Sequence, residues 1–600
     1  MYFQACQDRV YRSSARIPTF LNEDRDSGMP RISAPPGVSG AVAWLLATLI
    51  VVAAALLIGR TVWLLDRGFD FTDQSFYLMS IQRPADYKLA YGLWPYALHP
   101  LYELAGASAA TLQRLGALIL VAFGLATGLV ILNRAKLNWR QASGMQIVVV
   151  CAALPLSYYT LWIPTPSYNW FALIGGLALF NAILLLHQPA STKASAVWAA
   201  IAGSLAIFSR PHNAIAYGAL YLLATAFVLP TMQARMTQIA WAAGTTVLAG
   251  LAVALFLPVG VIISQIREYN AIFGMSHPVQ YSFMDEQWKF WVDAKAWRLA
   301  PIVFAVVMFM RRGGRRIPRS LTAVLAAIAL AGVLVALLGQ GSSKSGIRAA
   351  VIAFAALTLA GLKKTIDGQS IKLLAVATLI PWAATLGSAN PIHPQLALFV
   401  GLWIAVAFAC FILAVQNTDI AITAASAIAL GVSFLDINLG FASPYRLAGS
   451  LATQMVPTQI GWGSELKLDG KTSAFITTLR DTARQGGFCK GGTAIDLSGA
   501  LPGAVFAIDG QMPIFPWLFG GYSFSNHFAE EYLKQLGPER LRQSWLITGS
   551  SGSFSIEELS ALGVRFSAYR LVAELNHPLD DSLIKVYAPL DRTDCPRVTR

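Results

Sequence analysis

The chain has 600 residues, of which 56% are hydrophobic and 13% charged. Soluble domains hold about 45–50% apolar and about 25% charged residues, so an ordinary soluble protein is excluded. The formal net charge of +14 does not indicate nucleic acid, because Lys and Arg stand in short clusters between apolar runs, where they set membrane topology.

Residues 1–40 are polar, carry Pro30, Pro35 and Pro36, and lack the short apolar core of a signal peptide. They are expected to form a disordered cytoplasmic tail, followed by an uncleaved signal-anchor. Thirteen apolar runs follow, at 41–58, 117–132, 147–162, 170–186, 194–208, 214–229, 239–263, 300–310, 321–338, 347–362, 373–386, 396–415 and 420–435. A helix that crosses a bilayer needs roughly 20 apolar residues. Several runs are shorter and must be extended by polar neighbours. The expected fold is therefore a polytopic α-helical membrane protein of about thirteen spans, occupying residues 41–438.

Basic residues alternate between connections. Arg134, Lys136 and Arg140, then Lys193, Arg235, the 311–319 cluster, and Lys363, Lys364 and Lys372 fall in every second one. This places the N-terminus inside and, with an odd count, the C-terminus outside. The turn at 416–419 has no basic residue. The Arg311–Arg316 run reads as a topology anchor, which is compatible with binding anionic lipid.

After residue 438 the apolar runs shrink and Gly, Pro, Ser and charges increase. Residues 439–600 are expected to form an exported α/β domain. Phe475, Ile476, Leu479 and Ala483 share one face of a helix over 473–485. Helices are also expected at 527–536 and 555–562, and strands at 504–508 and 583–587. There is no internal repeat. The five cysteines are Cys6, Cys151, Cys410, Cys489 and Cys595, with no metal-binding spacing. Cys489 and Cys595 both lie in the tail, where a disulfide and two free thiols are both open.

The most informative segment is the long first outside loop, 66–112. Asp66, Asp70 and Asp73 fall within eight residues and are suited to a general base or a metal ligand. Asp70 and Asp73, three apart, share a face if helical. The alternative is a solvated loop. Ser209-Arg210-Pro211-His212-Asn213 offers a cation suited to phosphate, or an Arg that snorkels to headgroups. Tyr168 and Asn169 either line a substrate groove or belong to an interfacial aromatic belt. Asn390 and His393 lie in a Pro-bracketed turn that can bind sugar or phosphate or be plain loop chemistry. The stretch around His277, Asp285, Glu286, Lys289 and Trp291 reads as an amphipathic surface element. Trp517, Gly520, Gly521 and Tyr522 form an aromatic loop suited to carbohydrate or to a tight turn over the core. The tail has no Gly-rich phosphate loop and no catalytic triad.

The stretch Asp73-Gln74-Ser75-Phe76-Tyr77-Leu78, just after the first span, resembles the Asp-Glu motif of the GT-C superfamily of membrane glycosyltransferases. Many spans, a long first outside loop and a soluble outside C-terminal domain are shared features. Residues 387–394 resemble a short Gly-Thr-Asn-type loop of some members. The resemblance implies a sugar transferase with a polyprenyl-phosphate donor, an acceptor hydroxyl on a glycan, lipid or protein, and a bacterial-type inner membrane. It puts Asp73 at the family's catalytic acid, with Asp70 as a second carboxylate. Arg210, His212 and His393 would hold the donor phosphate, and Tyr168, Asn169 and Asn390 the substrate. Gln74 departs from the second acid of many members, which leaves a divalent metal open; no other cofactor is indicated. The expected partners are the lipid-linked sugar, its acceptor and membrane lipids, without nucleic acid. The rival class is a lipid or solute transporter or flippase with an exported accessory domain; a scaffold would leave the loop acids without purpose. Transporters often carry mid-span ionisable groups and internal repeats, and neither pattern is seen here.

Overall fold

The computed structural model describes residues 38–187, 191–273, 366–388, 392–414, 419–522, 525–549 and 557–591, with residues 349, 352, 353, 356 and 554. Among them, seven helices are long and apolar enough to cross a membrane: Ala41–Leu64, Ala109–Ala135, Ala142–Leu161, Tyr168–Leu185, Thr192–Ser209, Met232–Ala254 and Asp419–Ala442. The protein is thus a multi-pass helical membrane protein. The runs at 300–310 and 321–338 lie outside the described residues, as do the 311–319 cluster, the 277–291 stretch, Asn390 and Cys595.

Proline breaks several apolar runs. The run at 239–263 divides around Pro258 into Met232–Ala254 and Val259–Phe273. The run at 373–386 divides into Gly368–Ala377 and Ile380–Thr385, the latter with Pro381 in its first turn. A proline fits a helix's first turn but removes a hydrogen bond farther in, so a helix restarts there. The same cause ends Ala142–Ala153 in a 3-10 segment, Leu154–Leu161, with Pro155 at its start.

Tyr168–Leu185 is buried along its whole length and forms the axis of the bundle. Residues 43–64 and Met232–Ala254 lie at the periphery and expose Leu45, Leu49, Leu56, Leu248 and Leu251. That is the apolar outward surface a lipid solvent requires.

The loop after the first span is largely helical. We label its helices α1 (Asp73–Gln82) and α2 (Trp94–Leu104). The C-terminal part holds an antiparallel hairpin, β1 (Val456–Gly461) and β2 (Ser464–Leu468), and a four-stranded sheet. The sheet contains β3 (Ala494–Asp496), β4 (Trp545–Gly549), β5 (Tyr569–Asn576) and β6 (Leu583–Pro589), in the order β3-β4-β6-β5. β3 and β4 are parallel, and the other pairs antiparallel. Helix Gly470–Gln485 is N-capped by Asp469, which accepts from Thr472 N at 3.0 Å. Residues 504–508 are not a strand: Pro502–Ala507 is a helix with Pro in its first turn, buried on every side. A fully buried apolar run has no periodicity to separate the two states. Of 555–562, the described part is a 3-10 segment, Glu557–Leu562. Cys489 is disulfide-bonded, whereas Cys151 and Cys410 are free and buried.

The loop and the sheet domain are sewn together by backbone. Lys467 N donates to Asp66 O at 2.7 Å, and Gly68 N donates to Lys467 O at 2.9 Å. Gly503 N donates to Phe71 O at 2.9 Å. Gly503 has to be glycine for this approach, since a Cβ there would lie 2.5 Å from Ser75 Oγ and 2.7 Å from Phe71 Cα. Phe76 on α1 then packs among Phe515, Trp517 and Phe519, with ring centroids 5.4, 5.7 and 6.1 Å away.

Candidate functional site

The three loop acids have three different environments. Asp66 is structural: its carboxylate receives Lys467 Nζ and Arg114 Nη2, each at 3.0 Å. Asp70 is buried and shapes the turn that starts α1. It accepts from Thr72 N at 3.1 Å, Thr72 Oγ1 at 2.8 Å and Gln74 N at 3.1 Å. Gln74 returns the contact, its Oε1 accepting from Asp70 N at 2.9 Å. Accepting these bonds consumes the lone pairs that chemistry would use. Burial still raises the Asp70 pKa, against the lowering effect of these hydrogen bonds and of Arg446.

Asp73 sits in the first turn of α1 with its side chain 16% exposed, facing Arg446 Nη1 at 3.9 Å. Burial, then repulsion from Asp70, pushes its pKa up from 3.8 to about 6; Arg446 and hydrogen bonds from Tyr445 and Tyr77 oppose the rise. A carboxyl that ionises near neutrality, partly open and close to hydroxyl groups, is poised to accept a proton.

Arg446 and Tyr445 carried no signal in the sequence. They lie in the linker between Asp419–Ala442 and β1. Tyr445 N donates to Leu161 O at 2.9 Å, which fixes the linker to the bundle. Arg446 has φ 52°, in the left-handed region that a non-glycine residue seldom adopts. Its guanidinium lies 4.8 Å from the Tyr445 ring centroid and donates to Thr72 Oγ1. Gly68, at φ +81°, allows the adjacent Leu447 side chain to close over the loop.

Arg210 ends Thr192–Ser209 and starts Pro211–Val228. It is 3% exposed, and no acid pairs with it among the described residues. Nη2 donates to Asn169 Oδ1 at 2.9 Å, and the guanidinium lies 4.4 Å over the Tyr168 ring. Among the described residues, Nε and Nη1 are buried without a hydrogen-bond partner. A buried cation with two unfilled donor groups is costly unless an anion completes it. Tyr168 and Asn169 thus hold Arg210. Ser167 caps this turn, accepting from Asn169 N at 3.3 Å.

Tyr77 connects the acid to the cation. Its hydroxyl interacts with Asp73 and lies 3.4 Å from that of Tyr168. The two rings are perpendicular with centroids 5.7 Å apart, and Tyr91 packs on Tyr168 at 5.4 Å. Asp73, Tyr168, Asn169 and Arg210 therefore belong to one cluster, at the end of the bundle that carries the sheet domain. The 385–388 segment borders it. Tyr91 Oη donates to Gly387 O at 3.5 Å, and Asn213 Nδ2 donates to Ala383 O at 2.8 Å and to Leu386 O at 3.1 Å. The exposed His212 lies against Gly387. His393 belongs to helix Ile392–Ala397, but its side chain lies outside the described residues. From the sheet domain, Tyr522 lies near Asp73 and Arg446; burial and then Asp73 push its hydroxyl up to about 12.

The acids do not suit a divalent metal. Asp70 is committed to its turn, Gln74 beside it is an amide, and Asp73 faces a guanidinium. Among the described residues no three His, Cys, Asp or Glu side chains are grouped to hold a metal ion.

Fold and site together define a multi-pass membrane protein whose polar centre lies between a helical bundle and a sheet-containing C-terminal domain. Among solved structures, the chain is similar to ArnT from Cupriavidus metallidurans bound to undecaprenyl phosphate, with 13% identity and a TM-score of 0.38 over 91% of this chain and 98% of that one. The apo state of the same protein gives 13% identity and a TM-score of 0.39 over the same shares. The arabinofuranosyltransferase AftD from Mycobacteria gives 15% identity and a TM-score of 0.44, over 90% of this chain and 40% of that one. No protein-family model and no curated protein matches the sequence.

Proposed function

We propose that this protein transfers a sugar from a polyprenyl-phosphate donor to an acceptor hydroxyl, with Asp73 as general base and Arg210 as the phosphate-binding cation. The observation that carries this reading is the linking of a partly open acid, through Tyr77 and Tyr168, to a buried guanidinium that no acid pairs among the described residues. Glycosyl transfer from a lipid phosphate needs both: a base at the nucleophile and a cation at the leaving group.

In this reaction Asp73 takes the proton of the acceptor hydroxyl as its oxygen attacks the anomeric carbon. The bond from that carbon to the phosphate oxygen breaks, and the configuration inverts. The electron pair leaves with the polyprenyl phosphate, whose negative charge the Nε and Nη1 donors of Arg210 receive. His212 lies at the rim, where it can add a donor; His393 and Asn390 keep the phosphate- and substrate-binding roles that the GT-C resemblance implies. Tyr168 and Asn169 act by orienting Arg210. The polyprenyl chain remains in lipid, so only the headgroup has to reach the polar centre. In this reading the site faces the exterior of a bacterial-type inner membrane, with the N-terminus cytoplasmic.

The test uses full-length protein in lipid nanodiscs with a panel of polyprenyl-phosphate sugars, following release of polyprenyl phosphate. Asp73→Asn and Arg210→Gln should each lower release by about 10²-fold or more while leaving a folded protein. Full release with Asp70 and Asp73 both replaced would overturn the mechanism. Movement of the intact donor across a bilayer without release would favour a flippase.

A further inference from the structure

Two neighbouring carboxylates, one buried and one partly so, are more readily ionised with a positive charge nearby, and in many active sites a divalent metal supplies it. Here the charge already belongs to the chain. Resting on the transferase reading above, we propose that Arg446 is a built-in counter-cation that takes the place of a metal beside Asp73, so that transfer proceeds without a divalent ion.

Three independent observations support this. The Arg446 guanidinium lies 3.9 Å from Asp73 Oδ2 and also donates to Thr72 Oγ1, the hydroxyl that itself binds Asp70. One cation therefore faces Asp73 directly and reaches Asp70 through the Thr72 hydroxyl. The second carboxylate a metal would require is not free, because Asp70 accepts from Thr72 and Gln74, and Gln74 offers an amide instead of an acid. Lastly, Arg446 holds φ 52°, a left-handed conformation that is unfavourable for a non-glycine residue. Such strain persists where the surroundings over-determine it, and here Tyr445 N on Leu161 O and Leu447 over Gly68 clamp both sides. The linker is bent so that this side chain reaches the acids. Arg446 is a positioning and electrostatic residue: its partner Asp73 would contact the acceptor.

The distinction from a metal is chemical. A guanidinium delocalises its charge, stays protonated and cannot be removed by a chelator. It orients Asp73 but offers no open coordination position to the acceptor. Asp73 therefore acts as a base on a hydroxyl that no Lewis acid activates.

Arg446→Gly is the informative variant, since glycine adopts φ 52° without strain and should fold at least as well. Wild-type protein should release polyprenyl phosphate equally well with EDTA, and titration with Mn2+ should show no stoichiometric site that depends on Asp73. Arg446→Gly should lose about 10²–10³-fold in release, in line with removal of one preorganised electrostatic group. Added guanidinium chloride, below denaturing concentration, should restore part of it, a rescue that a merely structural role would not show. Stoichiometric Mn2+ binding that Asp73→Asn removes, together with EDTA inhibition of the wild type, would overturn the proposal. So would wild-type release by Arg446→Gly. An inactive Asp73→Asn beside a fully active Arg446→Gly refutes the counter-cation alone, whereas a fully active Asp73→Asn refutes the base assignment on which it rests.

Discussion

Asp73→Asn is expected to make the protein more stable and inactive. The carboxyl ionises at about 6 in the folded protein against 3.8 when unperturbed. That difference disfavours the charged folded form by about 3 kcal/mol. Below pH 3.8 the acid is protonated in both states and costs nothing. As pH rises from about 4 to about 6 the unfolded chain has released the proton while the folded chain still holds it, and the cost accumulates. Above about 6 it is constant. Asparagine has the same shape and no charge. It should therefore match the wild type at pH 4 and exceed it by up to about 3 kcal/mol at pH 8. The assay is the apparent unfolding temperature in detergent from pH 4.5 to 8, followed by tryptophan fluorescence, alongside donor turnover. Turnover should fall by about 10²–10⁴, the usual contribution of a general base. A variant no more stable than wild type at pH 8, or a gain independent of pH, would refute the electrostatic account of this site.

Because the base must be deprotonated, kcat/KM should decline about tenfold per pH unit below about pH 6, as measured by initial rates in nanodiscs. Arg210→Lys should fail to restore turnover lost in Arg210→Gln, because an ammonium cannot both hold Asn169 and present a second donor edge; the loss should be about 10²–10³-fold, with weaker retention of polyprenyl phosphate in a lipid-binding assay. Gly503→Ala should destabilise the contact between α1 and the sheet domain by about 1–3 kcal/mol, seen as a lower unfolding temperature and faster proteolysis of the tail.

The sequence by itself determined the membrane class, the first described spans and the composition change that precedes the sheet domain. These are properties of consecutive residues: an apolar run either is or is not long enough for the bilayer, and neighbouring charges decide its ends. Helix Gly470–Gln485 and strand β6 were legible for the same reason, through a face or a short β-rich run. Residues 504–508 were not, because a segment buried on all sides shows no period. Asp73 and Arg210 stood out as isolated candidates, but their relation did not. Only the tertiary structure separated Asp66, tied to Lys467 and Arg114, from Asp70, spent on a turn, and from Asp73, left open. It alone joined Asp73 to Arg210 through Tyr77 and Tyr168, and brought Arg446 to an acid more than 370 residues earlier in the chain. A lone arginine after a helix has no local pattern, and its meaning comes from what packing sets in front of it.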